Sequence, residues 1–149
     1  MERMRQMIAS HGGDAGLLLL RVWFGLVMAF GHGWGKVTEL SKFHEAWNAV
    51  LAKKGMALPE FLATCAAVFE LAGGILIALG LLFRTATVAL LGTMLGAAFI
   101  FHSGDAFGKR EYALAFVVIC LAFLLTGPGR YSVSAWLKSR SSGTPADAP

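Results

Sequence analysis

The chain has 149 residues, 56% of them hydrophobic and 15% charged, and its mean hydropathy is +0.64. A soluble domain carries about 25% charged residues, and one small core cannot bury this much apolar surface. A soluble fold is therefore excluded and the lipid bilayer is the natural solvent. The net charge of +4 comes from Lys and Arg scattered over termini and links without a basic stripe, which argues against nucleic acid and for contact with anionic lipid.

Four apolar segments follow one another. Residues 1–14 make a polar N-terminal arm, and the first segment runs over 15–35 (AGLLLLRVWFGLVMAFGHGWG). It contains Arg21, and bulky Trp34 and Lys36 stand where a cleaved signal peptide needs small residues, so it reads as a retained span. The link over 36–60 is polar and mixed in charge. Within it Phe43, Trp47, Val50 and Leu51 recur at helical spacing, which predicts a short amphipathic helix on the membrane surface. Pro59 suits the first turn of the second span, 61–83. The third, 85–102, follows after little more than Arg84, so the two form a tight antiparallel hairpin with Arg84 as an anchor.

The fourth span, 108–126, carries Lys109, Arg110 and Glu111 at its start and ends at Gly127-Pro128-Gly129. Arg130, Tyr131 and Trp136 follow as interface anchors, and 138–149 is a polar, Pro-containing tail expected to be disordered. Each span must be helical, because hydrocarbon offers no partner to a bare backbone amide. The fold class is thus an all-α membrane protein, a four-transmembrane-helix bundle over 15–137. An even number of spans puts both termini on one side. Lys and Arg divide six against six between the two sides, so charge does not choose the side, and the cytoplasmic one is taken provisionally. Helix association in lipid favours small residues at close contacts. Gly25, Ala29 and Gly33 in the first span and Gly92 with Gly96 in the third have that spacing.

Ionisable groups inside a bilayer cost at least about 2.5–3.5 kcal/mol each near its centre, so they are the site candidates. Arg21 lies about 9 Å into its helix, shallow enough to reach back to the surface. Glu70 lies about 14 Å from the nearer boundary and needs a partner or a proton. Antiparallel helices make Arg21 and Glu70 lean apart, so they are not expected to pair. His32, Glu70, His102 and Glu111 instead come from four different helices to the same half of the bundle, with Lys36 and Asp105 at its rim. Such a group can relay protons or hold a polar headgroup such as a quinone carbonyl. It forms no recognised metal-ligand motif, and no metal or haem is expected. Cys65 and Cys120 form no CxxC pair and read as small hydrophobes.

These residues resemble the DoxX family of small four-helix membrane proteins from about Leu17 to Val133. The resemblance is carried by the leucine run ending at Arg21, then Gly25, His32-Gly33 with Lys36, Glu70 with Gly73-Gly74, Gly80, Arg84, His102, Glu111-Tyr112-Ala113-Leu114, and Gly127-Pro128-Gly129-Arg130-Tyr131-Ser132. It implies a multi-pass protein of a bacterial-type plasma (inner) membrane with both termini cytoplasmic. The family is named for a subunit associated with quinone-linked oxidation of sulfur compounds, and relatives carry oxidoreductase labels. The chain itself has no flavin, nicotinamide or iron–sulfur motif, so no cofactor is evident and quinone is the candidate ligand. The favoured reading is an accessory or quinone-interacting subunit of a membrane oxidoreductase system, with a protein partner of a redox complex. The alternatives are a small-solute transporter or channel, and a structural assembly partner without catalysis. A homo-oligomer is a candidate state.

Overall fold

A computed structural model describes the backbone of residues 2–141 and side chains from residue 12 onward. The described residues are all helical or in turns, with no strand among them. The first helix, α1, spans residues 2–38: an α-helix over Glu2–Leu26, a π-helical stretch over Val27–Gly33 and a final turn over Trp34–Thr38. The amphipathic helix α2 is Leu40–Leu51. Next come α3, Pro59–Leu79, and α4, Phe83–Phe101. Helix α5 is Phe107–Thr126 and α6 is Val133–Ser141. The helix over 133–141 takes in the start of the tail, and 142–149 lie outside the described residues.

Among the described residues three helices are long and apolar enough to cross a membrane: Gly12–Thr38 within α1, α3 and α4. Helix α5 is 20 residues long, and its first turns carry Lys109, Arg110 and Glu111. Two ends of the bundle can be named. The proximal end holds Arg21, the α3–α4 hairpin and the turn after α5. The distal end holds α2 and the link between α4 and α5.

The turns follow from a few residues. Gly80 takes φ 70°, which only glycine adopts without strain. It closes α3 with a bond from its own N–H to the Ile77 carbonyl and one from Leu81 N–H to the Leu76 carbonyl, at 3.0 and 2.9 Å. The hairpin therefore turns at residues 80–82, and Arg84 sits in the first turn of α4 rather than between the helices. Gly127 and Gly129, at φ 73° and 72°, stop α5 where the Gly-Pro-Gly run predicts. Pro59 opens α3 as anticipated.

Helix α1 lies against α3, and α3 against α4, which packs on α5. Phe24 of α1 also meets Phe116 and Phe123 of α5 edge-on, at ring-centroid distances of 5.4 and 5.5 Å. The α1–α3 contact is made by small residues. A Cβ added at Gly25 would fall 2.7 Å from the Ala78 backbone nitrogen, one at Gly74 would fall 2.7 Å from that of Ala29, and one at Gly33 would fall 2.7 Å from Leu71 Cα. Real Cβ atoms do not approach so closely, so these glycines set the distance between the helices.

Gly92 and Gly96 behave differently from the expectation. A Cβ at either meets nothing within 4 Å, so among the described residues this pair makes no close helix–helix contact. The shared spacing of four does not distinguish the two cases, because it fixes only that two residues share a helix face.

Gly33→Ala and Gly74→Ala should each lower stability in detergent by about 1–3 kcal/mol, the cost of overpacking a close contact. Gly92→Ala should stay within about 0.5 kcal/mol. Thermal unfolding of the three purified variants checks this, and equal effects at all three positions would contradict the packing described.

Candidate functional site

The close approach at Gly33 brings the α1 backbone against that of Glu70 and Leu71. Lys36, one turn further along α1, thereby reaches the Glu70 side chain. Its Nζ donates to Oε1 at 2.6 Å and to Oε2 at 2.5 Å. Glu70 is 2% exposed and Lys36 28%. A carboxylate so deeply buried would otherwise take up a proton or destabilise the fold. The ammonium supplies the compensating charge, and its distal side is covered by the Phe43 ring of α2, 5.1 Å away.

This pair opens into a cavity of about 220 Å³ in the distal half. His32, Lys36 and Glu70 line it together with His102, Lys109 and Tyr112, and Met94, Ala97, Ala113 and Phe116 form the apolar remainder. His32 lies edge-on to Phe116 at 5.5 Å. Four of the six candidates read from the sequence therefore share one chamber: His32, Lys36, Glu70 and His102. Its walls come from α1, α3, α4 and α5, as the depth argument anticipates.

The other two candidates are elsewhere. Glu111 is exposed and does not line the cavity; Tyr112 and Lys109, its neighbours on α5, do. Arg21 is 2% exposed at the proximal end and does not reach a surface. Its guanidinium donates to the Pro128 carbonyl and, at 2.9 Å, to the Tyr131 carbonyl. These oxygens belong to the turn that follows α5, where helix-end carbonyls need donors. Gly80 makes room for the guanidinium: a Cβ there would lie 2.6 Å from Arg21 Nη1 and from Ser132 Cβ. Ser132 Oγ in turn accepts from Ala135 N–H at 3.2 Å and caps α6. Arg21 thus ties α1, the α3–α4 hairpin and the α5–α6 turn into one knot, and it makes no contact with Glu70.

Each of the helices α1, α3 and α4 turns π-helical at the level of the chamber, over Val27–Gly33, Phe69–Gly73 and Ala97–Phe101. His32 and Glu70 lie inside these stretches. His102 directly follows the third, its N–H bonding five residues back to the Ala97 carbonyl at 2.9 Å. An inserted residue of this kind re-aims side chains, and such segments are frequent at functional sites. The carbonyls they release find donors: Arg110 Nε bonds the Ala98 carbonyl at 3.0 Å, and Lys54 Nζ bonds the Ile100 carbonyl and Ser103 Oγ.

At the chamber's edge His102 Nδ1 and Asp105 Oδ2 share a hydrogen bond of 2.7 Å, and Lys109 Nζ stands 3.6 Å from Asp105 Oδ1. The bond from His102, opposed by desolvation and aided by Lys109, holds the Asp105 carboxyl below its ordinary value of 3.8. Among the described residues no group of three His, Cys, Asp or Glu is arranged to hold a metal ion.

Three apolar helices of spanning length, two of them joined by a buried ion pair at a polar chamber, define a helical membrane protein. The chain belongs to the DoxX family. The family model described as DoxX matches residues 16–103. "Inner membrane protein YqjF" of Escherichia coli (strain K12) is 31% identical over 131 residues, 85% of this chain and 95% of that protein. "Putative oxidoreductase CatD" of Bacillus subtilis (strain 168) is 32% identical over 115 residues, 76% of this chain and 81% of that protein. No solved structure matches the chain.

Two outcomes follow from the ion pair and its neighbour. Lys36→Met strands Glu70 and should cost up to about 3–5 kcal/mol, while Lys36→Met combined with Glu70→Leu should recover most of it. Detergent unfolding of the set tests this, and an additive loss in the double variant would refute the coupling. For Asp105 the depressed value means that its contribution is present above the ordinary aspartate range and is lost as pH falls through the folded-state value. His102→Ala should move the Asp105 titration midpoint upward, read by carboxyl-carbon NMR; an unmoved midpoint would exclude His102 as the cause.

Proposed function

We propose that this protein is a membrane-embedded, quinone-interacting subunit of an oxidoreductase system, and that the distal chamber receives the quinone headgroup. The observation that carries this reading is the buried Lys36–Glu70 pair, which opens into a cavity of about 220 Å³ shared with His32, His102 and Tyr112. Quinone reduction needs donors at two carbonyl oxygens and a supply of two protons. The Lys36 ammonium and the Tyr112 hydroxyl are donors, the two imidazoles can carry protons, and Glu70 holds Lys36 in position. The His102–Asp105 contact leads from the chamber to the distal surface and gives protons a way in. Electrons come from a protein partner, since the chain carries no flavin or cluster motif. The oxidoreductase name of the CatD relative supports the same reading.

In this proposal all four long helices span the bilayer. The 20 residues of α5 give about 30 Å of helix, the thickness of the hydrocarbon core, with Lys109 and Arg110 reaching the distal headgroups. The membrane is the bacterial plasma membrane, as for the YqjF relative, with both termini cytoplasmic. The solute-pathway alternative is less well supported. Phe24, Met28, Phe83 and Phe123 fill the core between the chamber and the proximal end, and the Arg21 knot closes that end. The chamber is a dead end suited to a bound headgroup.

The protein purified in mild detergent should carry quinone extractable by solvent, and Glu70→Gln should reduce that content about tenfold, equivalent to ~1.4 kcal/mol of binding. Added quinone should raise the unfolding temperature of the parent protein and leave that of the variant unchanged. Equal quinone content and equal thermal shifts in both proteins would remove the proposal.

A further inference from the structure

A second cavity among the described residues is larger than the polar chamber. A groove of about 350 Å³ runs between α3 and α4 on a different face of the bundle. Gly92 and Gly96 form part of its floor, and Leu90 and Met94, two positions back along α4, point into the core. The open space over both glycines is the groove itself. Its walls are apolar, from Leu62 and Phe69 on α3 to Val88 and Ile100 on α4, and α2 bridges the distal part with Trp47 and Leu51. A helix with its side chains is about 10 Å across, too bulky for a groove of about 350 Å³ that Trp47 and Leu51 partly cover; a single hydrocarbon chain suits that volume.

The distal mouth is basic. The Ile100 carbonyl and Ser103 Oγ are bonded by Lys54, which fixes that ammonium where the groove ends. Lys53 beside it is exposed, and Met56, just beyond, lines the groove. The nearby Glu60 of α3 accepts from Asn48 Nδ2 at 3.0 Å. An apolar slot on the outside of the bundle, ending at Lys54 with Lys53 next to it in the chain, has the charge and shape complementarity of one amphiphile.

We infer that the α3–α4 groove is a binding site for an anionic phospholipid, with one acyl chain lying over Gly92 and Gly96 beneath Trp47 and the phosphate resting on Lys53 and Lys54. The site is separate from the quinone chamber and does not depend on that reading. The glycines keep the floor low, α2 holds the chain in place, and Lys54 is already oriented by the end of α4.

The test is native mass spectrometry of the full chain in detergent with equimolar phosphatidylglycerol and phosphatidylcholine. The parent protein should retain phosphatidylglycerol about tenfold over phosphatidylcholine, a difference of ~1.4 kcal/mol. Gly92→Leu with Gly96→Leu fills the groove without touching backbone and should abolish retention of both lipids, with quinone content unchanged. Lys53→Glu should abolish the preference while leaving chain binding in place. No preference in the parent protein, or wild-type retention in the glycine variant, overturns the assignment. So does a parent dimer that the glycine variant converts to monomer, because the face would then be an interface between two copies. If the glycine variant does not fold, Lys53→Glu decides alone, and an unchanged preference overturns the assignment.

Discussion

A carboxylate shut among apolar helices has few stable states, and here it is matched by an ammonium from the next helix. The Lys36–Glu70 contact sets requirements on everything near it. The two helices must approach until their backbones touch, which only Gly33 and its counterparts Gly25 and Gly74 permit. The side chains must then be aimed at one another, which the π-helical turns at Val27–Gly33 and Phe69–Gly73 bring about. A short side chain at 33 is thus as much a part of the ion pair as the charges are. In a medium of low dielectric a mismatch of a few ångströms leaves two isolated charges, each costing several kcal/mol.

That requirement divides the molecule into two functional ends. The proximal end is a knot: Arg21 holds two carbonyls, Ser132 caps α6, and among the described residues Arg21 Nε is the one buried side-chain nitrogen or oxygen that lacks a partner. The distal end is held by contacts between elements rather than by a knot. His44 of α2 bonds Thr64 of α3 at 2.9 Å, and Trp47 lies against Phe101 at 5.4 Å, which itself meets the His102 ring at 4.9 Å. Helix α2 therefore touches both edges of the chamber, through Phe43 over Lys36 and through Trp47 by way of Phe101. A tied proximal end under a distal chamber flanked by an amphipathic helix suits a protein that admits a ligand from one side.

Much of this was legible in the residues and some was not. Hydropathy locates the helices, because a bilayer admits few alternatives, and the period of Phe43, Trp47, Val50 and Leu51 locates α2. The co-location of His32, Glu70 and His102 follows from depth along antiparallel helices, since depth is a one-dimensional quantity that residue counting measures. Azimuth is what residue counting loses. The three π-helical turns rotate the residues beyond them on α1, α3 and α4, and no sequence pattern marks them. On the regular α5, depth alone does not say which neighbour faces inward, and Glu111 lies off the chamber that Tyr112 and Lys109 line. The same blindness made Gly92 and Gly96 read as a helix contact. A spacing of four says that two glycines share a face, and not what that face meets. Arg21 is read as reaching back to the surface, but it is buried, its partners lie more than a hundred residues away in the turn after α5, and nothing local announces a backbone carbonyl as an acceptor.

The cations at 21 and 36 also show why the residue types are not interchangeable. Arg21 must hold two carbonyls that diverge from one turn, and a planar fork of fixed donors does so with little loss of freedom on binding. A lysine there would satisfy one oxygen at a time and leave the other bare. Lys36 has the opposite task. Its compact ammonium on a flexible stem can sit astride both oxygens of Glu70, at 2.6 and 2.5 Å, and still turn a hydrogen toward the chamber. A guanidinium at 36 would pair with Glu70 face to face and commit its donors to the protein. Fixed charge where the bundle is tied, and adjustable charge where the cavity opens, is the division of labour expected if the distal chamber binds a ligand and the proximal end only holds the helices in register.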